Sequence, residues 1–242
     1  MASKAIAWSV HLFTASGAVL GVFALWEIGR GGFARAAIYL LAALAIDSVD
    51  GTLARRSRVA ERLPRIDGRT LDDVVDFLNY VIVPVVFLLQ LGAFAHWSMA
   101  LLPVLAGAYA FSQVDVKTED HFFLGWPSYW NVVALYVWLL ELSPAVASAW
   151  VALFAVLTFV PLKYIYPSKM QRLRGVTAAG GMLWMIAMAF IAQEPPSGTR
   201  DLATWISLVY PAWYVALSAW LGEWPQVSRS EPKASEDHRA GR

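Results

Sequence analysis

Asp47-Ser-Val-Asp-Gly-Thr-Leu-Ala-Arg55 and Gly68-Arg-Thr-Leu-Asp-Asp-Val-Val-Asp76 are the two stretches that decide the fold, because each is joined to a long apolar segment. Residues 36–46 lead into the first, and residues 81–91 follow the second closely. Acidic side chains therefore lie at the edge of a hydrophobic layer. One such charge would cost about 2.5 to 3.5 kcal/mol at a membrane centre and less near its surface. Several such charges together need a compensating positive charge, and a bound divalent cation is the simplest source of it.

Helical geometry brings the acidic residues together in pairs. Asp47 and Asp50 are three residues apart and Asp72 and Asp76 are four apart, so each pair shares one helix face. Asp47 and Asp50 also fall near the end of a predicted helix, where the helix dipole disfavours negative charge, so helix capping does not account for them. Oxygen ligands in a chain without cysteine favour Mg²⁺ or Mn²⁺ over Zn²⁺. We predict that these four carboxylates hold two such ions.

The residues between the two pairs suit a phosphorylated nucleotide. Gly51 and Ala54 continue the first acidic face with almost no side chain and leave room for a flat ligand. Arg55 follows directly, and a guanidinium can bind two phosphate oxygens at once. The stretch therefore predicts a site that combines a metal with a diphosphate.

The composition predicts a membrane protein. The chain has 242 residues, of which 58% are hydrophobic and 15% charged, and its mean hydropathy is +0.52. A soluble domain of this length is not normally so apolar. We predict an all-α, polytopic bundle of about eight transmembrane helices in residues 1–226, followed by a polar, disordered cytoplasmic tail in 227–242. The predicted spans are 5–26, 33–54, 72–95, 97–116, 127–142, 145–162, 176–193 and 202–224.

The basic residues predict the orientation. If the N-terminus is cytoplasmic, only Arg30, Arg35 and Arg200 of the 19 lysines and arginines fall on the outer side. The positive-inside rule strongly favours this arrangement. We therefore expect a multi-pass protein with both termini and the acidic site on the cytoplasmic side. The arginines between the two stretches, apart from Arg55, are predicted to anchor this segment on anionic lipid headgroups, and we expect no nucleic-acid partner.

The two stretches resemble the signature of the CDP-alcohol phosphotransferases, D-x-x-D-G-x-x-A-R, a spacer and G-x-x-x-D-x-x-x-D. The resemblance implies that the four aspartates bind metal and that Asp76 is also the general base. It also implies that the CDP-lipid is bound by the small and polar residues of the signature. These are Gly51, Thr52, Ala54, Arg55 and Gly68. Dimers are common in the family, so the resemblance is compatible with a homodimer.

Within the family, residues 122–131 and 159–167 are similar to the bacterial phosphatidylcholine synthase branch. That branch implies a protein of the bacterial inner membrane that transfers the phosphatidyl group of CDP-diacylglycerol to choline, usually with Mn²⁺. Aromatic faces bind quaternary ammonium groups, and Tyr80, Tyr129 and Trp130 are the candidates. On physical grounds alone, we favour the interpretation that Trp126, Tyr129 and Trp130 belong to an aromatic belt at the membrane interface.

Two other functions are compatible with the same residues. A phosphatidylserine synthase would use the same donor, but the serine carboxylate would call for a cationic pocket, for which Lys163 is the main candidate. A cation or proton transporter would also place carboxylates in a membrane, but nearer its midplane. Asp67, just before the second stretch, and Asp73, within it, are predicted to have local roles, with Asp67 shaping a turn or capping a helix.

Overall fold

The computed structural model describes residues 2–113, 118, 120–170 and 172–224, and these are mostly helical. Helices α1 (Ala2–Gly29) and α2 (Phe33–Arg56) form an antiparallel hairpin closed by a turn at 30–32. Both are nearly free of charge over their central turns, so they can be long without an amphipathic stripe. The hairpin carries Asp47 and Asp50 in the last turns of α2, as predicted.

The second acidic stretch begins a helical run that changes its geometry on the way. A short helix, α3 (Val59–Arg62), precedes α4 (Gly68–Asp76), which continues into a π-helical turn at Phe77–Ile82 and then into α5 (Val83–Gln90). The π turn directly precedes Pro84, which has no N–H to donate to the carbonyl four residues earlier. This wider turn sets the direction of the side chains that follow Asp76.

The remaining elements complete the bundle. A 3₁₀ turn at Trp97–Ala100 leads into α6 (Leu101–Ser112). Helix α7 (Trp130–Leu139) packs on α5, and α8 (Pro144–Phe159) packs on α6. Helices α9 (Arg174–Ile191), α10 (Gly198–Ser207) and α11 (Val209–Leu221) follow. Strands β1 (Phe122–Leu124) and β2 (Lys163–Ile165) pair antiparallel, with Phe123 opposite Tyr164. The all-α prediction is thus correct for the bulk of the chain and misses this small sheet.

The core lies where α1, α2, α5 and α7 meet, around fully buried residues such as Leu40, Phe87 and Trp130. The outer faces are apolar as well: Leu12, Leu183 and Phe190 are each about two-thirds exposed. So much exposed apolar surface is unusual for a protein in water and is what a lipid-facing bundle requires. The chain is a multi-pass membrane protein.

Within the described part of the chain, four helical segments are long and apolar enough to cross a membrane: Lys4–Gly29, Phe33–Arg56, Arg174–Ile191 and Gly198–Leu221. They correspond to four of the eight predicted spans. The predicted spans 97–116, 127–142 and 145–162 correspond to the shorter apolar helices Trp97–Ser112, Trp130–Leu139 and Pro144–Phe159. The predicted tail at 227–242 lies outside the described residues.

Candidate active site

Three carboxylates from two helices meet at one point. Asp47 and Asp50 of α2 and Asp72 of α4 each place one oxygen within 4.8 Å of the others. Asp50 is 4% exposed, and the other two are half-buried. Mg²⁺ and Mn²⁺ prefer carboxylate oxygens, and a cation between these atoms would bring them to coordination distance with small shifts. This part of the predicted metal group is assembled in the fold.

Helix α1 supports the group from a third side. The side chain of Thr14 lies beside the carboxylate of Asp50, and an oxygen of that carboxylate is within 4.8 Å of a carboxylate oxygen of Asp72. Two carboxyl groups this close repel each other when both are ionised, and a shared proton or a cation removes the repulsion. The arrangement therefore fits a divalent metal.

Tyr80 is hydrogen-bonded directly to the acidic group. Its hydroxyl donates to Oδ2 of Asp47 over 2.6 Å, and its side chain is buried. The π turn at Phe77–Ile82 holds this residue. A hydrogen bond of this kind leaves the second carboxylate oxygen to a metal and holds the orientation of the ligand.

Asp76 lies one helical turn beyond Asp72 on α4, and the structure does not place it among the three clustered carboxylates. It is near enough to Tyr80 for its charge to act on that hydroxyl. Its roles as metal ligand and general base stay predictions.

The predicted nucleotide residues lie along the end of α2. Nη2 of Arg55 donates to Oγ1 of Thr52 over 3.1 Å, and the guanidinium is exposed. Beside Gly51, the nearest described atom to the place of a Cβ is Nη1 of Arg55, at 3.3 Å. Ala54 is half-buried and packs against the small cluster of Ala7, Val10 and Val59, so the space beside Gly51 is occupied by the Arg55 side chain alone among the described residues.

Gly68 and Asp67 shape the start of α4. A Cβ on Gly68 would lie 3.2 Å from Cε1 of His11, so the glycine lets α4 begin against α1. The Asp67 carboxylate accepts hydrogen bonds from the backbone N–H and hydroxyl of Thr70 and from the N–H of Arg69, and these lower the pKa of Asp67 below its ordinary value of 3.8. The predicted cap is confirmed, while the role of Gly68 in binding the CDP-lipid stays a prediction.

A chain of aromatic rings leads away from Asp47. The rings of Tyr80 and Tyr129 lie 6.0 Å apart, and those of Tyr129 and Tyr214 lie 5.7 Å apart. The hydroxyl of Tyr214 donates to the backbone carbonyl of Ile165 over 3.1 Å, which fixes this ring beside Tyr129. Two of the three residues predicted to bind choline are therefore neighbours, and both lie near an acidic group.

Trp130 has a different environment. Its ring packs edge-on against Trp126 at 4.6 Å, and both side chains are buried within the protein. Among the described rings, Trp130 contacts neither Tyr80 nor Tyr129. The interfacial-belt interpretation is wrong for Trp126 and Trp130, since a belt residue faces lipid headgroups and these two face the core.

Two residues of the site escaped the sequence interpretation. Thr14 is one polar residue in an apolar helix. Its spacing from His11 predicts that the two share a helix face, but it does not predict a contact with the aspartates. Tyr214 is more than 130 positions from Tyr80 in the chain, so no local pattern connects them. Only the packing of α11 against the strand β2 brings Tyr214 near the site.

The comparisons with known proteins agree with one another. The family model described as CDP-alcohol phosphatidyltransferase matches residues 9–220. Three relatives named phosphatidylcholine synthase come from Legionella pneumophila, Borreliella burgdorferi and Pseudomonas aeruginosa. The first is 44% identical over 69% of this chain and 67% of the relative. The second is 33% identical over 89% of this chain and 94% of the relative. The third is 34% identical over 90% of this chain and 92% of the relative.

Proposed function

Because the chain belongs to the CDP-alcohol phosphatidyltransferase family, whose members depend on a metal, we propose that it transfers the phosphatidyl group of CDP-diacylglycerol to choline. The products are phosphatidylcholine and CMP. The observation that carries this proposal is the group of Asp47, Asp50 and Asp72 beside the Tyr80–Tyr129 ring pair. Relatives with the corresponding name, aligned over most of the chain, support the same reaction.

The metal would be held by Asp47, Asp50 and Asp72, with Asp76 completing the set. Two Mn²⁺ or Mg²⁺ ions would neutralise the charge on the transferring phosphate and on the departing CMP. Tyr80 would hold the carboxylate of Asp47 in the orientation that binding requires, through its 2.6 Å hydrogen bond.

The donor would lie along the end of α2. Arg55 is exposed and already bent towards Thr52, so its guanidinium can turn onto the phosphate oxygens of the CDP-lipid. Gly51 and Ala54 would form the surface under the nucleotide, with Thr52 and Gly68 at its borders. The acyl chains would remain in the lipid beside the exposed apolar faces of the bundle.

Asp76 would accept the proton from the choline hydroxyl. The choline oxygen then forms a bond to the phosphorus of the phosphatidyl group, the bond from that phosphorus to the CMP oxygen breaks, and CMP leaves with its electron pair. Asp76 suits this task because it lies one turn from Asp72 on the same helix and so beside the reacting phosphate.

Choline would bind against the tyrosines. Tyr80 and Tyr129 offer two ring faces, and Tyr214 offers a third next to Tyr129. A quaternary ammonium group gains up to about 2 kcal/mol from such faces when water is excluded. The charge of Asp47 adds attraction, because it acts on Tyr80 and on Tyr129. Trp130, the third predicted residue, packs on Trp126 in the core and would not offer its ring face to choline.

Serine is the acceptor of the alternative reaction, and its carboxylate would need a cation. Lys163 is the predicted candidate, but its Nζ is bound to Oδ2 of Asp120 at 2.7 Å. Burial disfavours ionisation of Asp120, yet the hydrogen bond and charge of Lys163 lower the pKa of that carboxyl on balance. A serine would have to displace this partner, whereas choline needs only the rings.

The arrangement in the membrane is a further part of the proposal. The three shorter apolar helices and the α4–α5 run would complete eight crossings, with both termini and the aspartates on the cytoplasmic side of a bacterial inner membrane. The small number of basic residues at the other end of the bundle supports this orientation. A homodimer would be compatible with the exposed apolar helix faces.

The reaction is tested by the release of CMP from purified protein supplied with CDP-diacylglycerol and Mn²⁺ or Mg²⁺. Choline, serine, inositol and glycerol phosphate are compared as acceptors. We expect CMP with choline only, and no CMP when the metal is chelated. Product from serine without product from choline would show that the acceptor assignment is wrong. CMP release that persists in excess chelator would contradict the proposed requirement for a metal.

A further inference from the structure

A second polar region lies at the end of the bundle opposite the aspartates. Turns and helix ends there enclose a cavity of about 650 Å³. Ala34, in the first turn of α2, lines this cavity, and Asp47 lies thirteen residues further along the same helix. At 1.5 Å per residue, the two sites are about 20 Å apart along the helix axis. The cavity is therefore separate from the candidate active site.

Arg200 lines the cavity, and its environment is unusual. The residue is 5% exposed, and its guanidinium lies over the ring of Trp138, 5.4 Å from the ring centre. Its Nε is buried and has no hydrogen-bond partner among the residues that the structure describes. The backbone N–H of Arg200 donates to the hydroxyl of Ser197, which begins α10 and holds the residue in place.

Within the described part of the chain, no carboxylate forms an ion pair with this guanidinium. The contrast with Arg35 at the same end is clear, because Arg35 donates to Glu27 over 2.8 Å. Burying a cation without an anion or a full set of acceptors is costly. The ring of Trp138 compensates a part of this cost, and a bound anion would compensate the rest.

The other residues of the cavity narrow the class of ligand. Glu141 and Glu194 also line it and are exposed, so they form a negative rim. Leu91, Val137 and Leu142 are apolar. A free dianion would be repelled by the rim and would leave the apolar wall uncovered. A phosphodiester that bears an ammonium group on one side and an apolar chain on the other matches all three features.

We propose that this cavity binds the headgroup of a phospholipid from the membrane leaflet opposite the aspartates, with its phosphate at Arg200. The ammonium group of the headgroup faces Glu141 and Glu194, and the beginning of an acyl chain covers the apolar wall. A guanidinium suits a phosphodiester because it can donate two hydrogen bonds in one plane. The volume is within the range of ligand sites in proteins.

The experiment measures thermal unfolding of the purified full chain in detergent, with short-chain phosphatidylethanolamine or inorganic phosphate added. Arg200→Gln removes the charge, and Arg30→Gln is the matched control, because Arg30 is an exposed arginine at the same end. We expect the lipid to raise the melting temperature of wild type and Arg30→Gln by about 4 °C, and that of Arg200→Gln by less than about 1 °C.

If the lipid raised the melting temperature of Arg200→Gln as much as that of wild type, or did not raise that of wild type, the proposed lipid site would be wrong. A shift with inorganic phosphate as large as that with the lipid would overturn the assignment to a lipid. Should Arg200→Gln not fold, Ala34→Phe keeps the arginine and fills the cavity with a ring. Native mass spectrometry should then show phospholipid retained by wild type and lost from Ala34→Phe; equal retention by both would also overturn the proposal.

Discussion

The two ends of this bundle handle charge in opposite ways. At one end, three carboxylates from α2 and α4 are held within 4.8 Å of each other. At the other end, one guanidinium is buried beside a cavity, with no ion pair among the described residues. A tight group of like charges suits a small ion that binds to all of them, whereas a lone charge in a large cavity suits a larger ligand that brings one opposite charge.

The two ends also differ in the elements that build them. Helix α4, which carries Asp72, is fixed against α1: the amide of Asn79 donates to the backbone carbonyls of Gly17 and Val75, and a Cβ on Gly21 would lie 2.7 Å from Oδ1 of Asn79. The cavity is lined largely by turns, with Glu141 and Gly92 in the left-handed backbone region. Rigid helices suit chemistry that needs accurate positions, and turns tolerate a ligand of variable shape.

The largest effect should come from the aspartate end. Asp76→Asn should lower turnover by about 10³-fold, because the amide cannot accept the proton of the choline hydroxyl. Binding of the CDP-lipid should stay measurable. The assay is CMP release together with a binding measurement for the donor. Asp73→Asn is the matched control, since Asp73 is the next acidic residue on α4 and contacts Arg69 instead.

Arg200→Gln extends this test to the other end of the bundle. It should keep turnover within about threefold of wild type if the two ends act separately. If Asp76→Asn retained turnover, Asp76 could not be the general base. A loss in Arg200→Gln as large as that in Asp76→Asn would break the comparison between the two ends.

A smaller effect should follow from the aromatic rings beside the aspartates. Tyr129→Leu should raise the KM for choline about tenfold and leave the KM for CDP-diacylglycerol nearly unchanged, because it removes a ring face and keeps an apolar side chain. Tyr129→Phe keeps the ring and should resemble wild type in its KM for choline. Equal effects of the two variants would mean that the Tyr129 hydroxyl, rather than the ring face, determines the KM for choline.

The smallest effect should come from the cap that starts α4. Asp67→Ala should lower the melting temperature by about 2 °C, whereas Asp67→Asn should keep most of the cap. The pKa of Asp67 is lowered in the folded state, so its charged form contributes stability above its ordinary value of 3.8. This contribution is lost as the pH falls through the lower folded value.

The gap between wild type and Asp67→Asn should therefore be present at pH 7 and close below pH 3.8. Thermal unfolding as a function of pH measures it. A gap that widened on acidification would contradict the hydrogen bonds assigned to this carboxylate.

The parts of this molecule that the sequence could predict are those set by local spacing. Helical periodicity predicts that Asp47 and Asp50 share one face of α2 and that Asp72 and Asp76 share one face of α4. The need to compensate four carboxylates at a membrane edge predicts that the two pairs meet. Long apolar runs likewise predicted the four long helices. The shorter apolar runs were less informative: α7 has 10 residues, and length alone does not say whether such a helix crosses a membrane.

The features that escaped prediction depend on contacts between distant parts of the chain. The strands β1 and β2 have three residues each, too few for a visible alternation. Pro84 predicts a kink in this run, but it does not predict the wider π turn that holds Tyr80. Arg200 was recognised as an outer basic residue, but its burial depends on how α10 packs against Trp138.

The central claim is that Asp47, Asp50 and Asp72 hold a divalent metal. It is tested most directly by titrating purified protein with Mn²⁺ and following the free ion by electron paramagnetic resonance. We predict that wild type and Asp73→Asn bind Mn²⁺, and that Asp50→Asn weakens binding at least about tenfold, because it removes a charged ligand from a buried position. Mn²⁺ binding by Asp50→Asn as tight as that by wild type would contradict the claim.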